Sequence, residues 1–515
     1  QRLCGGAGAV VVGAMLVAIG AAVVQYRQFV TLGGYASSGQ ELVDDAAWEK
    51  AWAAEAAPWS VEGGELALTV EAGRVEGTWS IEAARASGGQ LFAHVPEGFS
   101  LQGATVDGVA VSPRLEADML AVPLGDADSH DVTLRWTVLD EGWSAFGDPH
   151  WSLPQGTWMR AEHAVPRLGF DPGRILRSPR YRQDHDLPSA IPGPSATATT
   201  AAYGVAPAGD WTWTVTLHTP DGDEVREGHT RGHLELVAWW GPRLRAHAVG
   251  ALTVLAGPGF ASAAREVAED VEQTSRALQA RLPGLSPVRT VVQAPRGWGE
   301  PVMANGVLVL PEDHGWDVGP EGPGRSDRRA EIGTTIVRAT LAERADLRDE
   351  PGGPWLTDGI PRALALLAVG DLDGPEVATD LLSQWSQDLT YTLAASAVPV
   401  GAVGDAPPGG WAAEYAPLAA LPWVGRQSPA ELTQTLDRLT AGRVADRLPT
   451  ASLGAPRMSD LNLVAGEVQG QRWSWSDGGW VPADSRIEPW AWDGLYLDAW
   501  LSYERTPTDN GEPTH

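Results

Sequence analysis

Residues 328–362 read RRAEIGTTIVRATLAERADLRDEPGGPWLTDGIPR. A helix is expected over 329–345, and Ala330, Glu331 and Thr334 lie in its opening turns. Positions 330 and 334 are four apart, so on a helix they share a face. Pro351-Gly352-Gly353 then breaks the pattern, Trp355-Leu356-Thr357-Asp358-Gly359 follows, and a second helix is expected from about 361 to 370. A helix, a loop and a second helix mark this part of the chain as mainly helical.

Working outward, the helical pattern begins after Gly259. Residues 261–282 place Val267, Val271, Thr274 and Leu278 on one face and stop before Pro283. Two short strands follow, Arg289–Gln293 and Gly306–Leu310, and a further helix is expected at 376–395. Ser428-Pro429-Ala430-Glu431 is a capping box with proline at the first helical position, opening a helix to about 441. Alternation returns in Arg472–Trp475 and Leu495–Trp500, which read as closing strands. Before residue 255 the period is two: Leu66–Val70, Val132–Val138 and Trp211–Leu217 alternate, separated by turns such as Asp107-Gly108 and Asp221-Gly222. The Pro-, Ser-, Thr- and Ala-rich run 188–209 reads as a surface loop.

The 515 residues are too many for one core. A formal net charge of −29 repels nucleic acid and anionic headgroups, so nucleic acid is excluded as a partner of the folded part. Cys4 is the only cysteine, which rules out an internal disulfide and a cysteine-based zinc site. Residues 5–24 carry no charge and, at about 1.5 Å per residue, are long enough to cross the hydrocarbon layer, so a transmembrane helix is expected there rather than a signal peptide. Cys4 at its edge is a candidate for acylation. The expected architecture is α+β: a transmembrane helix in 1–28, a juxtamembrane connector in 29–58, an antiparallel β domain in 59–257, a helical domain in 258–450, and closing strands and tail in 451–515.

Several stretches in this order resemble a known family. Gly156-Thr157-Trp158, Val165–Asp171 ahead of Arg174-Ile175-Leu176, Arg180-Tyr181-Arg182 with Asp186-Leu187-Pro188, and Ala483–Ile487 running to Trp492-Asp493 carry the resemblance. It is to the gluzincin zinc aminopeptidases, the membrane alanyl aminopeptidase family, in the form fused to the C-terminus of bacterial ABC-2 type transporter permeases. The resemblance implies a thermolysin-like domain beside a β domain, both outside a bacterial cytoplasmic membrane. It also implies permease helices and an ABC ATPase as partners, with peptides as ligands.

The family's zinc motif, H-E-x-x-H followed by a glutamate on the next helix, is degenerate here. Two histidines four apart on a helix reach one zinc, and the motif glutamate deprotonates the bound water. Ala330 and Thr334 stand at the histidine positions, and alanine cannot ligate. Glu331 keeps the general-base position, and Asp358 stands at the third-ligand position after a longer loop. Ala304, in Pro301–Gly306, stands where the family has its amine-binding glutamate, and Tyr415 where it has its transition-state tyrosine. The bland readings are that Glu331 is a solvated carboxylate near a helix start and that Asp358 caps the following helix. His314 is a candidate displaced ligand; His229 and His233 read as structural.

The expectation is therefore a membrane-anchored, catalytically inactive aminopeptidase-like ectodomain with no metal, acting in binding, gating or assembly of a transporter. Two alternatives stand beside it. One is an active zinc aminopeptidase with a rebuilt site; the other is a single-span β-rich sensor or adhesion ectodomain.

Overall fold

In the computed structural model of the chain, the described residues are 38–55, 59–140, 152–169, 176–188, 209–316, 323–343, 355–395, 416–440 and 472–483, apart from one or two residues at 87–88, 117, 154–155, 177–178, 233, 235, 418–419, 422–423, 426 and 477–478. The expected transmembrane segment 5–24, the surface loop 188–209 except its two end residues, Tyr415, His233 and the strand expected at 495–500 lie outside them. Among the described residues no helix is long and apolar enough to cross a membrane.

The N-terminal half is built on an eight-stranded sheet. Strands Gly63–Glu71, Arg74–Ala86, His130–Leu139 and Phe99–Val106 pair antiparallel in turn, and Gly209–Thr219 joins the first of them in parallel. Alternation buries one face: Leu66, Leu68 and Val70 lie inside with Trp79, Val132, Leu134, Trp136, Trp211 and Trp213. Trp136 lies directly opposite Gly77, where a Cβ would meet the indole ring at 2.3 Å, so only glycine lets the ring lie flat on the neighbouring strand. Its indole N–H donates to the Ala164 carbonyl at 2.7 Å. Asp107 and Gly108 have φ of 52° and 76°, the left-handed pair that a two-residue hairpin requires.

The connector expected over 29–58 contains helix α1 (Ser38–Glu55), and this helix packs on the β domain. Trp48 is fully buried edge-on to His94, and Ala46 packs with Leu176 and Leu187. Glu49 and Arg182, both fully buried, form an ion pair at 2.9 Å. The Leu176 backbone N–H adds a bond to the Glu49 carboxylate, and Arg182 also donates to the carbonyls of Leu176 and Pro188. Every charge taken from water here has a hydrogen-bonded partner, the condition under which burial is tolerated.

The second half starts earlier than residue 258. Strands Arg245–Val249 and Leu252–Ala256 form a hairpin that joins Thr290–Ala294, Val307–Pro311 and Val302–Ala304 in a separate five-stranded sheet. Helices α2 (Ala261–Arg281), α3 (Pro323–Ala342), α4 (Ile360–Asp373), α5 (Pro375–Ala395) and α6 (Pro429–Thr440) follow. The largest core joins this sheet to α2, α3 and α4. Gly333 allows the close approach: a Cβ there would lie 3.0 Å from that of Ala365 and 3.2 Å from Thr274 Cγ2. The capping box is present, with the Ser428 amide donating to Glu431 at 2.9 Å and the Glu431 amide to the Ser428 hydroxyl at 3.4 Å. The strand expected at Arg472–Trp475 is present and pairs antiparallel with Gly479–Ala483.

A tryptophan seam joins the halves. The Trp158 indole donates to the Gln293 carbonyl at 3.0 Å, and the Trp298 indole donates back to the Trp158 carbonyl at 2.7 Å. The Arg160 guanidinium lies over the Trp298 ring, 4.0 Å from its centroid, and bonds the Glu300 carbonyl. His163 packs edge-on to the same ring. Burial holds its pKa down to about 4, against the attraction of Glu162 and with help from Arg160.

Candidate metal centre

Helix α3 is nearly encased. From Arg328 to Leu341 every residue is buried except Glu331 and Arg338, which are half-buried. They stand seven apart, about two turns and 10 Å along the axis, on one stripe. Ala330 and Thr334 are buried beside that stripe, at 4% and 8% exposure. The helix is rigidly placed at its start by Asp270 of α2, a fully buried carboxylate that takes bonds from Arg325 at 2.8 Å, Arg329 at 2.9 Å, and Arg328. Arg329 and Ser326 extend the network to Asp373 at the end of α4.

Each open position on the stripe is already engaged. The Glu331 carboxylate accepts a hydrogen bond from His314 Nδ1 at 2.8 Å. His314 ends a short turn, Glu312–His314, directly after the strand Val307–Pro311. The bond to Glu331 raises the His314 pKa above its usual value, against the opposing effect of burial. Further along, Asp358 lies in the turn Trp355–Gly359 ahead of α4. Its Oδ1 accepts from an Arg338 terminal nitrogen at 2.8 Å, and its Oδ2 from the Thr357 hydroxyl at 2.7 Å. Arg338 Nε donates in addition to the Thr357 carbonyl at 2.9 Å.

The other expected positions fall elsewhere. Ala304 lies on the edge strand Val302–Ala304, facing the opposite way from Met303. Met303 packs into the core with Ala330, whereas Ala304 packs with Trp158 and Trp298 at the seam. His229 is exposed and paired with Asp210. Tyr415 lies outside the described residues; its neighbour Ala416 is buried close to Gly359. The sequence reading missed Arg338, although its spacing of seven from Glu331 puts it on the same stripe, and it missed the Asp270 network.

The residues present do not fit a zinc ion. The two positions that the resemblance assigns to imidazoles hold Ala330, with no donor, and Thr334, a buried neutral hydroxyl. The one carboxylate left at a ligand position is bound to a guanidinium. Among the described residues no group of three or more His, Cys, Asp or Glu side chains is arranged to hold a metal ion.

No protein-family model matches the chain, and no curated protein matches it in sequence. Solved structures do. The chain is similar to native yeast LTA4 hydrolase, with 10% identity and a TM-score of 0.50 over 79% of this chain and 64% of that one. The chain therefore spans less than two thirds of the length of the yeast protein. An M1 zinc metallopeptidase from Deinococcus radiodurans matches with 16% identity and a TM-score of 0.43 over 79% of this chain and 94% of its own. The likeness to the yeast structure shows a shared fold.

Proposed function

We propose that the chain is a peptidase-like scaffold that binds without cutting. It is held at a bacterial cytoplasmic membrane as the extracytoplasmic part of an ABC transporter permease, where it acts in binding, gating or assembly. One observation supports the first half: the carboxylates of Glu331 and Asp358 are bonded to His314 and Arg338, and Ala330 and Thr334, where the resemblance implies histidines, are buried. A general base acts on a water that a metal has acidified; Glu331 is instead bonded to His314. The uncharged run 5–24 supports the membrane anchor, and the resemblance to permease-fused aminopeptidases supports the transporter role.

The test is the zinc content and the aminopeptidase activity of the purified full chain. Zinc far below one per chain and no release of amino acids from aminoacyl substrates are expected. One zinc per chain with hydrolysis that Glu331→Gln abolishes would overturn the reading. Co-purification of an ABC ATPase with the membrane-extracted chain tests the transporter assignment.

A further inference from the structure

We propose that Arg338 is a built-in cation that takes the place of a metal in this scaffold, joining helix α3 to the turn before α4 and neutralising Asp358. The inference rests on the reading that the chain binds no zinc, and goes beyond it by assigning what ties helix α3 to the turn before α4 instead.

Three observations carry it. First, Arg338 reaches across to Trp355–Gly359 with two contacts of different kinds, one to the Asp358 carboxylate at 2.8 Å and one to the Thr357 carbonyl at 2.9 Å. A planar guanidinium presents such donors in a fixed fork, so the pair of bonds sets orientation as well as distance. Second, the Thr357 hydroxyl donates to the remaining carboxylate oxygen at 2.7 Å, so both Asp358 oxygens are satisfied from within the chain. Third, Glu331 and Arg338 alone break the buried run Arg328–Leu341, so these two carry the face that helix α3 leaves open. A ligand metal at this face would tie one helix to the next element and balance a carboxylate. Arg338 does both with a permanent single charge, and a divalent cation approaching Asp358 meets that charge at close range.

The pair is partly shielded, with side-chain exposures of 27% for Arg338 and 17% for Asp358. It is therefore expected to matter more than a surface ion pair.

A double-mutant cycle on the full chain tests the proposal: Arg338→Met, Asp358→Asn and the two together, each melted with chelator and with excess zinc chloride. Each single variant is expected to lower the melting temperature by about 3–6 °C, and the double variant to melt no lower than the worse single one. Arg338→Lys, which keeps the charge and loses the fork, is expected to fall between wild type and Arg338→Met. Wild type is expected to melt alike in chelator and in zinc. If Arg338→Met does not fold, recovery of folding in the double variant supports the pair. Failure of the double variant while Asp358→Asn melts like wild type overturns it. Losses that simply add overturn this inference and leave the pseudopeptidase reading standing. A wild-type chain that zinc stabilises overturns both.

Discussion

Ala330 and Thr334 stand at the positions that the resemblance assigns to zinc-binding histidines. A histidine at a zinc site needs room for a ring and an open side toward the ion. Here both positions are packed, at 4% and 8% exposure, in a helix that Gly333 already brings tight against Ala365. Putting the histidines back is therefore expected to cost stability before it yields a site. Ala330→His with Thr334→His should lose about 1–3 kcal/mol per site by overpacking, read as a lowered denaturant midpoint, and bind no zinc while Arg338 holds Asp358. A different residue governs the acid response. His163 has its folded pKa held down to about 4 by burial, with Arg160 lowering it further and Glu162 and Asp140 opposing. Between pH 4 and the ordinary histidine value near 6.5 the unfolded chain binds a proton that the folded chain refuses, so stability falls as pH falls through that window. The loss is up to about 3 kcal/mol. His163→Phe should flatten stability against pH between 4 and 6.5 in urea titrations; an unchanged slope would remove His163 as the cause.

At the scale of the element, helix α3 is fixed by charge at one end and apolar packing along the rest. Asp270→Asn would leave Arg325, Arg328 and Arg329 without their common carboxylate. Breaking a fully buried pair of this kind costs about 3–5 kcal/mol, and the expected result is a large fall in melting temperature with faster proteolysis near residues 323–330. The helices were legible from their spacing: 261–282, 361–370 and 376–395 were expected against Ala261–Arg281, Ile360–Asp373 and Pro375–Ala395. Helix α3 was expected six residues late at its start: Arg328 and Arg329 are buried against Asp270 and Arg325 reaches it too, a partnership that the spacing of apolar residues does not report. The hairpin Arg245–Ala256 was read as part of the β domain, yet it belongs to the sheet of the second half. Alternation reports that a segment is a strand; which sheet it joins depends on partners 35 or more residues away, Thr290 for Thr253 among them. The same limit applies at the candidate site. Glu331 and Asp358 were singled out through the resemblance, but their partners His314 and Arg338 became partners only through folding.

Across the whole molecule, the seam of Trp158 and Trp298 exchanges hydrogen bonds in both directions between the two halves. Two cores joined this way are expected to unfold together. Urea transitions followed by tryptophan fluorescence and by far-ultraviolet circular dichroism should coincide in the wild-type chain and separate in Trp298→Ala. Coincident transitions in that variant would mean that the seam does not couple the halves.

The buried Glu49–Arg182 pair has a consequence for where the chain can be cut. A chain begun at residue 59, the first residue of the expected β domain, would keep Arg182 but lose the carboxylate it is buried against, along with the Trp48 indole that fills the space beside His94. Such a truncation would expose a cationic hole in an apolar wall, and its misfolding would say nothing about the sheet itself. The smallest autonomous piece begins before Ser38, so that the segment read as a tether is, in folding terms, the first structural member of the domain it carries.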